Sequence, residues 1–382
     1  MTIYISIYLL ILFFALNKKL KNTKVLFNLL LVVLGIFLCM GYMTGSDWRQ
    51  YELEYNSLNS NDIIKYVKGY EYLYPALQMV FKSIGFTFWQ FFITLKIILF
   101  FITIKTFEKY SQYNYAWGLL VFYGVFGLDA YIDNPMRNLI ASVIFLSSIK
   151  YIISNKLLKY IIMIILASSF HMSALLLLPI YFIRNTNINK KIILISLVGL
   201  VIFAVIGQWA FRKLLVEFIW TRSNIIAERF NVVYLDKSFY ENRNHIITVG
   251  FLVHVVMYIL IFLKKEEIEK QKYGRLIFNL TYVYMIVYIV SFAIWIFFRM
   301  RLYLFVPFCI SIAYLPYLYT KLYARLLSIS IILIMSFFTM LSTITGSYKY
   351  IPYTNHIFYL FKNKPNFYER SDYNFRNSPY KD

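Results

Sequence analysis

Long apolar runs recur from one end of this chain to the other, and no other feature constrains its fold as tightly. About 20 apolar residues in helical form cross the ~30 Å hydrocarbon core of a bilayer. Inside that core only helices and closed barrels satisfy their own backbone groups. The runs are continuous rather than alternating, so the chain is expected to be an all-α polytopic integral membrane protein. Spans are expected near 2–16, 25–43, 88–104, 115–132, 136–154, 157–183, 191–210, 245–263, 276–298, 302–319 and 324–343. The 382 residues are 60% hydrophobic and 15% charged, against an apolar share of ~45–50% in soluble domains. The opening stretch has neither a basic leader nor a small-residue cleavage motif, and is expected to be a first membrane helix.

The 39 basic residues outnumber the 18 acidic ones, which on composition alone could suggest nucleic acid. They fall, however, in short clusters between apolar runs, the pattern of cytoplasmic membrane loops. No nucleic-acid partner is therefore expected. Lys18, Lys19, Lys21 and Lys24 place the first loop inside and the N-terminus outside. Residues 1–343 are expected to form a single transmembrane helical domain with outer loops 44–71 and 211–244. Residues 344–382 read as a polar, solvated tail on the outside. Cys39 and Cys309 both lie in apolar runs and read as core residues. No disulfide, metal site or cofactor is expected.

Two stretches interrupt the regular pattern. "YLYPALQMVFKSIG" (72–85) is short and holds Pro75, so it reads as re-entrant or interfacial. The other is "LASSFHMSALLLLP" (166–179), with His171 in an otherwise apolar or small run. A single helix over 157–183 would run ~40 Å and would leave Arg184, Lys190 and Lys191 on the wrong side. A broken pair of half-helices, turning back at His171, resolves both difficulties. With that pair the chain makes about 11–12 crossings, the segment near 72–85 included.

In this topology "GSDWRQYELEY" (45–55), "GLDAYIDNPMRN" (127–138), the His171 turn and "FRMRLY" (298–303) all reach the outer side. Asp47, Arg49, Asp129, Asp133, Arg137, His171, Arg299 and Arg301 gather there. Ionisable residues at membrane depth cost ~2.5–3.5 kcal/mol on insertion scales, which makes them candidates for function. Asn134 suits an N-cap and Pro135 a first helical position. Arg137 then sits in the first turn of a helix whose positive dipole end faces outward, an anion site in outline. Arg299 and Arg301 would add further contacts, suiting a diphosphate. Each residue also has a plainer reading. Edge arginines snorkel to headgroups, Asp47 and Arg49 form a solvated loop pair, Asp129 and Asp133 are salt-bridge partners of Arg137, and His171 is a packing residue at a helix break. Tyr51, Tyr55, Tyr131 and Tyr303 are candidates to stack on sugar rings.

Taken in order, these stretches resemble the bacterial polysaccharide polymerases of the Wzy type, in their EpsG-like branch. The resemblance rests on Gly45, Ser46, Asp47 and Tyr51; on Glu71; on Asp133, Pro135 and Arg137; on Ala167, Phe170, His171, Ser173 and Ala174; and on Arg301 and Tyr303. It covers about residues 41 to 316, with Asn138 and Met136 as departures. It implies a membrane glycosyltransferase that joins oligosaccharide repeat units carried on a polyprenyl diphosphate, making O-antigen, capsule or exopolysaccharide. Donor and acceptor would be lipid-linked oligosaccharides at the outer face of the bacterial cytoplasmic membrane, and a chain-length regulator protein is an expected partner. In that chemistry Arg137, Arg299 and Arg301, with Arg49 in reserve, meet the diphosphate charge. His171 is the first candidate for the base and Asp47 the second. The alternatives are a flippase of lipid-linked oligosaccharides and a membrane O-acyltransferase. A flippase should show paired halves with matching interruptions, which the sequence lacks. An acyltransferase would need an inner-side histidine.

Overall fold

The computed structural model describes residues 1–17, 23–58, 71–133, 135–203, 248–292, 296–362 and 364–380. The expected outer loop 211–244, the expected N-cap Asn134 and the lysines at 18, 19 and 21 lie outside them, and the helix after Asn134 begins at Met136, with Pro135 in the cap position and not the first helical one. The regular elements among the described residues are all helices, with one isolated backbone bridge between Gly41 and Asn355. The fold is all-α, as the apolar runs require.

Among the described residues, five helices are long and apolar enough to cross a membrane: α5 (Phe88–Tyr110), α6 with its continuation (Ala116–Asp133), α7 (Met136–Ile153), α13 (Ile296–Leu318) and α14 (Leu322–Thr345). Shorter apolar helices flank them: α1 (Thr2–Leu16), α2 (Lys24–Cys39), α8 (Leu157–Ser168), α9 (Lys190–Ile202), α10 (Val249–Leu263) and α12 (Gly274–Val290). The small polar helix α11 (Lys265–Glu269) joins α10 to α12. Helix α13 is the hub and packs on α6, α7, α12 and α14. Its residues from Tyr303 to Leu315, Pro307 and Ser311 included, are apolar or small, as a helix buried on all sides must be. The Thr281 hydroxyl of α12 stitches the two together by donating to the Pro307 carbonyl at 3.2 Å, with Ser311 Oγ 2.7 Å away.

The lysine-rich ends collect at one end of the bundle. Lys190 pairs with Glu266, Lys265 donates to Asn187, and the Tyr319 hydroxyl near the end of α13 donates to Leu260 near the end of α10. At this same end the Arg184 guanidinium donates to the Ile152 carbonyl at 3.0 Å. That contact settles the path of the segment around His171. The α8 helix stops at Ser168, the chain extends through His171 (φ −152°, ψ 115°), and a 3₁₀ helix over Met172–Ile183 returns beside α8. The Tyr160 hydroxyl donates to the Leu177 carbonyl at 2.6 Å, which only an antiparallel return allows. The expected half-helix pair is present, with the histidine at its turn. The return leg buries Ala174, Leu177 and Ile180, in line with the buried His171 that caps it and spaced by three as 3.0 residues per turn dictates, with Ser173 buried beside that seam.

From Phe122 to Asp133 the helix begun as α6 continues as a π-helix. Its i→i+5 bonding widens the turn beyond 3.6 residues, so residues four apart, such as Asp129 and Asp133, line up more closely than on an α-helix. Gly124 lies within this segment, against α14. A Cβ there would stand 2.2 Å from the Ser336 carbonyl oxygen, so the two backbones meet directly.

Helix α4 (Leu73–Ser83) is 11 residues long. At 1.5 Å per residue it reaches about 16 Å, too short to cross, in keeping with an interfacial segment. It lies beside α3 (Trp48–Ser57), where the Lys82 ammonium donates to the carbonyls of Tyr55, Asn56 and Leu58. The tail departs from expectation. It is no solvated strand but folds back over the end opposite the lysines. Tyr42 donates to the Thr354 carbonyl, His356 to that of Met40, and Tyr353 stacks on Phe37 at 4.5 Å. It closes with helix α15 (Phe367–Asn377), whose Arg370 makes a buried bidentate pair with Glu52 of α3 at 2.7 and 2.9 Å. The tail's polar residues find buried partners some three hundred positions away, a relation local composition does not carry.

Gly124→Ala should therefore separate the π-helical segment from α14 and destabilise the protein by about 1–3 kcal/mol, the usual cost of overpacking. Thermal unfolding of the detergent-solubilised protein measures this, and an unchanged midpoint would refute the close approach.

Candidate functional site

Opposite the lysine end, two neighbouring groups of charges converge. The first is built on Glu71, which precedes α4 with φ +65°. Its Oε1 accepts from His171 Nδ1 at 2.7 Å and from the Met172 N–H at 3.0 Å. Its Oε2 lies 3.7 Å from Arg137 Nη1, and Arg137 Nη2 donates to Glu54 Oε2 of α3 at 2.9 Å. The guanidinium also lies against a pair of touching aromatic rings, 5.8 Å from the Tyr51 centroid and 5.4 Å from that of Tyr74. Burial pushes the Glu71 carboxyl up. The bond and charge from His171, the Met172 N–H and the Arg137 charge outweigh it and hold Glu71 below its ordinary range. A carboxylate only accepts, so the bond to Glu71 places a proton on His171 Nδ1. In the neutral ring the lone pair then lies on Nε2, which is buried with no partner among the described residues.

The second group is built on the Gly45–Ser46–Asp47 turn. Gly45 adopts φ +88° and presses on the end of the π-helix so closely that a Cβ would lie 1.9 Å from the Ile132 carbonyl oxygen. Only glycine fits there. The turn grips Asp133, whose Oδ1 accepts from the Ser46 N–H at 3.0 Å and from Ser46 Oγ at 2.7 Å. Asp133 Oδ2 pairs with Lys349 Nζ at 2.5 Å, and the Tyr350 hydroxyl donates to Asp129 at 3.3 Å. Burial, then the Asp133 charge, push the Asp47 carboxyl up to about 6, against smaller opposing effects from Ser46, Arg299 and Lys349.

The geometry revises several expectations. Asp129 and Asp133 are not partners of Arg137: Asp133 holds Lys349 and Ser46, while Glu54 and Glu71 hold Arg137. Arg299 and Arg301 do not point together, because two positions on a helix differ by about 200°. The exposed Arg299 lies where its charge acts on Asp47, whereas Arg301 stacks on Phe298 at 3.7 Å and acts on Asp129. Tyr51, Tyr55, Tyr131 and Tyr303 are all buried, and the Tyr303 hydroxyl is bonded to Ser173 Oγ at 2.9 Å, so none offers a free face to a sugar. Arg49 keeps Nε and Nη2 buried without an acceptor among the described residues. Reading by residue type missed Glu54 and Lys349, which sat in stretches that looked solvated. Glu71 entered only through the family resemblance. No group of three or more metal-ligating side chains forms among the described residues.

The sequence pattern that defines the EpsG family matches residues 24–355 of this chain. The match takes in both charge groups and ends before α15. No curated protein and no solved structure matches the chain.

The raised Asp47 pKa carries a sign that can be tested. A carboxyl that binds its proton more tightly when folded loses stability as pH rises from the ordinary carboxylate range to about 6. That cost is fully present above this window. Asp47→Asn should thus stabilise the protein at pH 7.5, by at most about 3 kcal/mol, and bring no gain near pH 4. Melting curves at the two pH values check it, and an equal gain at both would remove Asp47 ionisation as the cause.

Proposed function

The chain belongs to the EpsG family, and we propose that it is a membrane glycosyltransferase that polymerises lipid-linked oligosaccharide repeat units into a surface polysaccharide. The lysine end would face the cytoplasm by the positive-inside tendency, and the His171 end the outside of the cytoplasmic membrane. Donor and acceptor would each carry a polyprenyl diphosphate, and the growing chain would pass from its lipid to the next unit.

The observation that carries this reading is the Glu71–His171 pair, with Nε2 buried and without a partner among the described residues, and with Arg137 on the other oxygen of the same glutamate. In the proposed step Nε2 accepts the proton of the acceptor hydroxyl as that oxygen attacks sugar C1. The bond from C1 to the phosphate oxygen breaks, and its electron pair leaves with the diphosphate. Glu71 holds the ring in the required tautomer and stabilises the imidazolium that forms, the role of the carboxylate in hydrolytic triads. The growing negative charge needs preorganised donors. Arg49, with two buried donors unsatisfied, and the exposed Arg299 are the cations free to supply them. Arg137 is already shared between Glu54 and Glu71, so we assign it to hold the two glutamates and the base in register. Arg301, committed to Phe298, Tyr288 and Asp129, stands apart. Asp47 remains the second candidate base.

The test is deletion of the gene in its own host, with the surface polysaccharide resolved by size on a gel. Deletion should leave single repeat units, and the wild-type gene should restore the ladder. His171→Ala should not restore it, although the protein is inserted normally. Glu71→Gln, which still accepts a bond but no longer stabilises the imidazolium, should cut extension by about 10²–10⁴-fold. Arg137→Lys should impair it as well, since an ammonium cannot bridge two carboxylates as the guanidinium fork does. A full ladder from His171→Ala would end the base assignment. Accumulation of lipid-linked units on the cytoplasmic side would favour a flippase instead.

A further inference from the structure

Lys349 follows the last membrane helix, in the segment that sequence alone left as tail. Its main chain and its side chain are both held. The Gly45 N–H donates to its carbonyl at 2.9 Å, and Asn374 Nδ2 of α15 donates to the same oxygen at 2.7 Å. Its ammonium reaches Asp133 Oδ2, while Ser46 of the Gly45 turn holds the other oxygen of that carboxylate. Gly45, Ser46, Asp133 and Lys349 thus close a ring of hydrogen bonds drawn from three distant parts of the chain. Two residues beyond Asp133, Pro135 precedes α7, whose first turn carries Arg137.

We propose that Lys349 is a positioning residue of the transfer site: its ammonium, delivered by the C-terminal segment, locks the Gly45–Asp47 turn to Asp133 and so sets Asp47 and Arg137 relative to each other. The effect on chain extension rests on the transferase reading, whereas the lock itself is a matter of geometry.

Charge explains why a cation is needed there. The charges of Asp133, Asp129 and Asp47 all act on Lys349. Burial alone would lower the Lys349 ammonium. The Asp133 charge and bond, then Asp129 and Asp47, outweigh it and hold it above its ordinary value. The other charges facing Asp47 and Asp129 are Arg299 and Arg301, each bearing on one of the two. Neither touches Asp133 among the described contacts, so without Lys349 the Ser46 grip would hold an uncompensated carboxylate. The C-terminal segment supplies the fixed counter-charge. Arg370, clamped on Glu52 and ringed by Tyr42, Trp48, Trp89 and Phe367, keeps that segment in place.

The test uses the full chain in native membrane vesicles of its host, which hold its own lipid-linked units. Lys349→Ala should lower chain extension by about 10–100-fold, the scale on which outer-shell partners of metal-site ligands act. Methylammonium should restore part of it and tetramethylammonium, which has no N–H to donate, should not. Lys349→Arg should keep a measurable ladder. Independently of any activity, amide hydrogen exchange over residues 45–51 should quicken in Lys349→Ala and slow again with methylammonium. Lys349→Ala within twofold of wild type, or exchange over 45–51 unchanged by the substitution, would overturn the proposal. Wild-type vesicles that extend no chain would count against the transferase reading, and the exchange measurement would then decide the role of Lys349 alone.

Discussion

A helix broken inside a bilayer leaves backbone donors and acceptors with no water to turn to, and each such group costs several kcal/mol unless the protein satisfies it. The break at Ser169–His171 is tolerated because other segments meet that demand. The Leu73 N–H donates to the Ser169 carbonyl, the His171 N–H reaches back to Ala167, and the Met172 N–H donates to Glu71. Glu71 is central to this repair. The oxygen that caps the returning leg also accepts from the His171 ring, so the group that makes the break affordable is the one that orients the imidazole. Structure and proposed chemistry share a single carboxylate atom.

The second charge group answers a different constraint. The π-helix brings Asp129 and Asp133 toward one face, and the Gly45 turn adds Asp47. Like charges this close must be compensated or neutralised. The chain compensates them with Arg299 and Arg301 from α13 and Lys349 from the C-terminal segment. The tail belongs to the site for that reason, although its residues look like those of any polar terminus.

Much of the fold was legible in the sequence because membrane burial is a local property, written into each apolar run. The half-helix pair was legible for the same reason. One overlong segment and three stranded basic residues could be reconciled only by a turn at His171. Pairing was not legible. Arg137 had aspartates four and eight positions before it, and proximity in sequence made them its natural partners. Its true partners, Glu54 and Glu71, come from a helix and a turn that α-helical periodicity does not connect to it. Arg299 and Arg301 were grouped by sequence proximity where helical geometry should have set them apart. The buried tyrosines were misjudged because an aromatic at a span edge looks the same whether it faces a sugar or a neighbouring ring.

The 3₁₀ leg after His171 follows a count unlike that of the helices around it. Its protein-facing seam falls on every third residue, so removing one residue would rotate everything beyond it by about 120° and turn lipid-facing side chains inward. Removing three would keep the seam and shorten the leg by about 6 Å. Among descendants of a common ancestor, length variation in this leg should be rare and, where it survives, come in threes. In the neighbouring α-helices a three- or four-residue change nearly preserves the stripe. Drift in length is thus quantised differently on the two sides of one histidine.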